Sequence, residues 1–201
     1  MFEIIAVTSR DCCPAGREFA AQAARIAASG VGRVILREKD LTPEAYKGLA
    51  RDFLRECGDA GAELLLHCFA AVAKELNHPK IHLPLPVLEA QPGLRRDFKT
   101  IGVSVHSLEQ ARSALRLGAD YLSAGHVFAT DCKKGRTPRG LGFLSEICGE
   151  MPIPVYAIGG ISSENIRSVQ EAGAAGACVM SSIMRSEAPE EYVRALLERV
   201  E

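Results

Sequence analysis

The sequence predicts an α/β protein, and within that class a (β/α)8 (TIM) barrel, on three observations. Short β-branched runs alternate with helical patterns at intervals of about 20–30 residues, the rhythm of βα units around a parallel sheet. Eight such units can be counted along the chain. The 201 residues fall near the lower end of what such a barrel needs, so one domain spanning 1–201 is expected. A doubly wound open sheet is the competing architecture, but eight units suit closure and no GxGxxG follows the first strand.

The strand candidates, in order, are Glu3–Thr8, Arg33–Arg37, Glu63–His67, Lys80–Leu83, Thr100–Ser104, Tyr121–Ala124, Pro154–Ile158 and Gly176–Met180. Each is short and several are apolar throughout, as strands covered on both faces should be. Between the first two, Ala15–Ser29 reads as an amphipathic helix with Phe19, Ala23, Ile26 and Ala27 on one stripe. Thr42 and Glu44 open a second helix carrying Tyr46, Leu49, Phe53 and Leu54. Serines 107 and 162 read as caps of helices running to Leu117 and Ala172. Pro84 to Arg96 holds three prolines and leaves room only for a brief helix. A recurring αβ turn, Ala60-Gly61-Ala62, Leu117-Gly118-Ala119 and Ala172-Gly173-Ala174, precedes three strands and is the clearest internal repeat. Gly125 to Gly140 is the longest stretch without periodicity and reads as a mobile active-site loop, with Gly125 and Gly135 as hinges.

Bulk composition narrows the partners. A net charge of -1 gives no electrostatic footprint for nucleic acid or an anionic membrane, which points to a small-molecule partner. The amino terminus lacks the apolar region of a signal peptide and no run approaches the ~20 residues that span a bilayer, so a cytoplasmic protein is expected. Seven scattered cysteines without a CxxC pair suggest neither a disulfide framework nor a zinc site, and reduced, mostly buried thiols are the default. A homodimer is compatible with the chain, whose sequence does not fix its oligomeric state.

In a barrel, side chains just beyond the strand C-termini converge on one mouth. Gly159 and Gly160 end the seventh strand and Ser181 and Ser182 the eighth. Backbone amides and a hydroxyl there would hold a phosphate, the alternative being a tight βα turn. Arg37 and Lys39 share one side of the second strand by alternation and suit a second anionic group, unless they are simply solvated. Ser104 lies at the fifth strand's end. His126 emerges from the sixth strand after a glycine, and an imidazole with an ordinary pKa of about 6.5 can take and return a proton near neutrality. His106 competes for that role. His67 and Cys68 read as wall lining, and Lys133 and Lys134 could close over an anion or merely aid solubility.

These blocks resemble the thiamin phosphate synthase superfamily, and within it the TenI-type thiazole tautomerases. The resemblance is carried by Ile35-Leu36-Arg37-Glu38-Lys39, Gly102-Val103-Ser104-Val105-His106-Ser107, Gly125-His126-Val127-Phe128-Ala129-Thr130-Asp131-Cys132-Lys133-Lys134-Gly135 and Ala157-Ile158-Gly159-Gly160-Ile161, in order from the second strand onward. It implies a catalytic His126, substrate contacts from Arg37, Lys39, Ser104 and Lys134, a phosphate on Gly159, Gly160, Ser181 and Ser182, and no cofactor or metal. The synthase branch is known for a Mg²⁺ site built from an Asn-Asp pair after the third strand and an acidic residue after the fourth. This chain has His67-Cys68 and His82-Leu83-Pro84 at those places. A synthase, or a silent binder of thiazole phosphate with a regulatory role, are the alternatives to a tautomerase.

Overall fold

The computed structural model describes residues 1–91, 93–133 and 135–200. Among these, eight parallel strands lie in sequence order: β1 (Glu3–Val7), β2 (Arg33–Leu36), β3 (Glu63–His67), β4 (Lys80–Pro84), β5 (Thr100–Val105), β6 (Tyr121–Gly125), β7 (Val155–Ile158) and β8 (Gly176–Val179). The pairing of β8 back onto β1, Glu3 opposite Gly176 and Ile5 opposite Cys178, closes the barrel and excludes the open sheet. Helices α1 (Phe19–Ala27), α2 (Pro43–Cys57), α3 (Ala70–Glu75), α4 (Leu85–Glu89), α5 (Leu108–Arg116), α6 (Gly140–Glu150) and α7 (Ile166–Glu171) fill the crossovers, and α8 (Ser181–Arg185) and α9 (Pro189–Leu197) follow β8.

Alternation along the strands divides the buried side chains into two cores. Ile4, Ala6, Val34, Leu36, Leu64 and Leu66 face the helices. Ile5, Val7, Ile35, Leu65, Tyr121, Tyr156 and Cys178 fill the barrel. The same parity carries polar residues inward at both ends. At the N-terminal end Arg33 Nε lies 2.7 Å from Glu63, Lys80 Nζ lies 3.0 Å from the same carboxylate, and the Arg33 guanidinium sits 4.9 Å from the centre of the Tyr121 ring. At the C-terminal end the parity delivers the mouth.

Local chemistry explains the element ends. Thr42 and Ser107 cap α2 and α5, their hydroxyls accepting from the amides of Ala45 and Gln110. The three repeated turns are alike in the structure, with Gly61, Gly118 and Gly173 at φ of 88°, 86° and 91°, where a Cβ would be strained. α1 starts at Phe19 rather than Ala15, because Gly16 at φ 79° keeps the chain in a turn before it. Ser162 is not a cap. Its amide donates to Asn165 Oδ1, the Asn165 amide group bonds Gly160 O, and α7 begins only at Ile166. Strand β7 begins at Val155, since Pro154 has no N–H to give the ladder. Gly125 belongs to β6, where it is the last residue and pairs with Ile158. The segment after it is tied at its base, where the amides of Arg139 and Gly140 donate to the carbonyls of His126 and Val127 at 3.0 Å each.

Candidate active site

The mouth encloses a cavity of about 330 Å³ whose wall includes Arg37, Lys39, His67, Ser104, His106 and His126. It also reaches Lys133, Gly159, Gly160, Ser181 and Ser182. Every described residue singled out as a catalytic, substrate or phosphate contact therefore converges on one space, whereas Cys68, read with His67 as wall lining, is not part of that wall. Lys134 lies outside the described residues. A shallower cleft outside the mouth shares Thr130, Lys133, Gly160 and Ser181 with it and adds Asp131 and Arg136.

Strand tips set the positions of the cationic wall. Thr8 Oγ1 accepts from the Arg37 amide at 2.9 Å and donates to Glu38 Oε1 at 2.8 Å, while the other Glu38 oxygen takes the Arg10 amide and side chain. Tyr46, fully buried on α2, donates its hydroxyl to Leu36 O and accepts from the His67 amide, each at 2.8 Å. These bonds clamp the ends of β1, β2 and β3, so Arg37 is held from the backbone while its guanidinium reaches across to Met180 Sδ at 3.8 Å. Lys133, Lys39, Arg37, Arg136 and Arg139 crowd one another. Desolvation first, then those four cations, lower the Lys133 pKa from its ordinary value. An anion in the cavity would relieve that repulsion.

Four histidines line or back the cavity with different tasks. His126 Nε2 lies 3.3 Å from the Arg136 carbonyl oxygen. His106 Nδ1 bonds the Gly125 carbonyl at 2.6 Å, so it braces the peptide that presents His126, and burial chiefly lowers its pKa. His67 is buried, burial together with His82, Arg37 and Lys39 drives its pKa well below the ordinary value, and its Nδ1 has no partner among the described residues. His82 is fully desolvated, with a pKa lowered to about 3 by burial and then by Arg37. Its Nδ1 lies 2.9 Å from the Tyr121 hydroxyl and its Nε2 2.8 Å from Ser104 Oγ. Sequence reasoning missed His82, Tyr121 and Ser123. Counting every second residue inward from Lys80 and from Tyr121 would have found them.

The paired glycines earn their place by close approach. Gly159 and Gly160 adopt φ of 102° and 67°, and a Cβ on Gly159 would lie 2.4 Å from His126 Cβ. The tight turn and the site are thus one feature, because the β7 turn can lie against the β6 loop only without side chains. Ser181 and Ser182 open α8 beside it, with Ser182 Oγ accepting from Tyr192 at 2.7 Å.

Comparison with known proteins fits this geometry. The family described as thiamine monophosphate synthase matches residues 4–183. The chain belongs to the thiamine monophosphate synthase family. A thiamine-phosphate synthase of Syntrophomonas wolfei is 34% identical, over 97% of this chain and 94% of its own length. One of Chlorobium luteolum is 36% identical over 84% and 81%. The solved structure of a thiamine phosphate pyrophosphorylase from Pyrococcus furiosus superposes with a TM-score of 0.82 at 27% identity, covering 99% of this chain and 95% of that one.

The Mg²⁺ associated with the synthase branch of this family does not fit the residues here. Magnesium takes hard oxygen ligands, usually one or two carboxylates. Among the described residues no aspartate or glutamate lines the cavity, which instead presents Arg37, Lys39 and Lys133. Glu38, the buried carboxylate among the described residues, is engaged by Thr8 and Arg10. No group of three or more His, Cys, Asp or Glu among the described residues is placed to hold a metal.

Proposed function

We propose that this member of the thiamine monophosphate synthase family is a thiazole tautomerase, which converts a non-aromatic carboxythiazole phosphate to its aromatic isomer by proton transfer through His126. The observation that carries the reading is a cavity that holds His126 on its wall and, among the described residues, presents Arg37, Lys39 and Lys133 with no carboxylate to hold a metal. The Arg136 carbonyl can only accept, so a hydrogen bond with His126 places the ring proton on Nε2 and leaves the Nδ1 lone pair as the base. That nitrogen removes the C2 proton of the substrate. The electron pair moves through the ring to the exocyclic double bond, and the same proton, or one exchanged with solvent, returns to the exocyclic carbon. No atom is gained or lost, and aromaticity drives the reaction.

Arg37 and Lys39 stabilise the delocalised anion and the ring carboxylate in this reading. Gly159, Gly160, Ser181 and Ser182 hold the phosphate, with Lys133 adding charge. The reaction as written needs no cofactor or metal.

A second reading is thiamine-phosphate synthase itself, favoured by the names of the relatives. One assay separates the two: aromatisation of the carboxythiazole phosphate tautomer followed by NMR in chelator, with wild type and His126→Ala side by side. Acceleration by wild type that His126→Ala loses supports the tautomerase. No acceleration by wild type, with diphosphate released once Mg²⁺, thiazole phosphate and the pyrimidine diphosphate are supplied, establishes the synthase instead.

A further inference from the structure

The wall between β4 and β6 contains a polar chain that proton transfer through His126 does not use. Tyr121 Oη lies 2.9 Å from His82 Nδ1, His82 Nε2 lies 2.8 Å from Ser104 Oγ, and Ser123 Oγ lies 3.1 Å from Ser104 Oγ. Tyr121, His82 and Ser123 are buried, whereas Ser104 reaches the cavity. Donor accounting favours the arrangement that leaves no buried proton without an acceptor. The Tyr121 hydroxyl has a single proton and its hydrogen-bond partner is His82 Nδ1, so it donates there. His82 Nε2 then carries the ring proton and donates to Ser104. The Ser123 hydroxyl is 3.3 Å from that nitrogen, which has no lone pair to offer, so Ser123 also donates to Ser104. Ser104 Oγ now accepts twice, and its own proton is turned into the cavity.

We propose that Tyr121, His82 and Ser123 are positioning residues that fix Ser104 as an obligate hydrogen-bond donor, so that this wall selects a ligand group that can only accept. Resting on the function proposed above, that group is the thiazole carboxylate. Two observations place an anion here. Arg37 is close enough to both His67 and His82 to act on their charge, and it lines the same cavity as Ser104. His67 stacks on His82 with ring centres 5.9 Å apart and keeps its buried Nδ1 without a partner among the described residues. A wall of neutral donors backed by a guanidinium favours a carboxylate over a group that must itself donate, since two opposed donors leave both desolvated.

Two measurements on the full chain test the proposal. In ¹⁵N imidazole spectra, with His82 assigned through His82→Gln, wild type shows the neutral Nε2–H tautomer, and Tyr121→Phe shows a mixture of tautomers. A packing role alone would leave the tautomer unchanged in Tyr121→Phe. Calorimetry compares the aromatic carboxythiazole phosphate with the same thiazole phosphate lacking the carboxylate. Ser104→Ala weakens the first about 10- to 100-fold, as expected for a lost hydrogen bond to a charged group, and the second less than about 3-fold. In turnover the loss falls on KM more than on kcat, because the carboxylate is bound in ground and transition states alike. An Nδ1–H tautomer in wild type overturns the proposal, as does equal weakening of both ligands in Ser104→Ala. If wild type catalyses aromatisation yet binds both ligands equally, this proposal falls and the tautomerase reading stands. Binding of neither ligand by wild type overturns this proposal, and a wild type that does not accelerate aromatisation overturns the tautomerase reading as well.

Discussion

Replacing Gly159 by alanine tests the link between the β7 turn and His126. Two costs follow from the geometry. At φ 102° an alanine pays a conformational penalty of about 1–3 kcal/mol. Its Cβ would also lie 2.4 Å from His126 Cβ and 2.9 Å from His126 Cα, whereas ordinary contact begins at 3.4 Å. The β6 loop must therefore shift by about 1 Å, at an overpacking cost of about 1–3 kcal/mol. Together these lower stability by about 2–6 kcal/mol, a drop in Tm of roughly 4–24 °C for a chain of this length. The shift also moves the imidazole. A displacement of about 1 Å at a reacting group costs on the order of 100-fold in rate. Differential scanning calorimetry and the aromatisation assay, run well below the new Tm, measure the two effects separately. Gly48→Ala is the control: Gly48 lies exposed in α2 with nothing within 4 Å of the added methyl, and the change should stabilise by about 0.5–1 kcal/mol. Were Gly159→Ala to keep its Tm within 2 °C and its full rate, about 1 Å of room would have to exist that the structure denies, and the close-approach argument would fail.

Three further outcomes are expected. His126→Ala should lower the aromatisation rate about 10²- to 10⁴-fold with little change in Tm, and equal loss of both would point to a structural histidine. Because His82 titrates at about 3 when folded and near 6.5 when unfolded, the unfolded chain binds the extra proton between those values. Stability is then complete above about pH 6.5 and falls by about 1.4 kcal/mol per pH unit as pH drops toward 3; urea midpoints from pH 4 to 8 read this slope, which His82→Gln should reduce. Tyr46→Phe strips the bonds to Leu36 O and the His67 amide in a fully buried site and should cost about 1–3 kcal/mol, raising KM as the tips of β2 and β3 loosen; an unchanged Tm would show the clamp to be idle.

The barrel was legible because its strands carry short, doubly buried apolar runs, and Glu63–His67 falls where the pattern places it. The repeated glycine turns were legible for a stereochemical reason, since each needs a positive φ. Ser107 caps α5 and Ser162 does not cap α7, although both precede helical patterns, because the Ser162 hydroxyl accepts from the Glu164 amide in a turn that delays the helix to Ile166. That delay depends on a turn whose shape the order of residues does not reveal. The site residues at strand ends could be read one strand at a time. The pairs that give them meaning could not: His82 with Tyr121 are 39 residues apart, and Thr8 with Glu38 are 30. Only strand register brings those partners together. For the same reason His67 read as wall lining, since its isolation among cations belongs to the assembled mouth.

The ionic ring of Glu3, Arg33, Glu63 and Lys80, stacked beneath Tyr121 and Tyr156, has a kinetic consequence. It corks the barrel at the end opposite the cavity, so whatever is bound arrives and departs through the same doorway. Under the proposed reaction, an isomer formed inside must leave by the route its precursor needs to enter. Product should therefore inhibit competitively with substrate, and turnover under product accumulation should slow through traffic at one opening rather than through any change in chemistry.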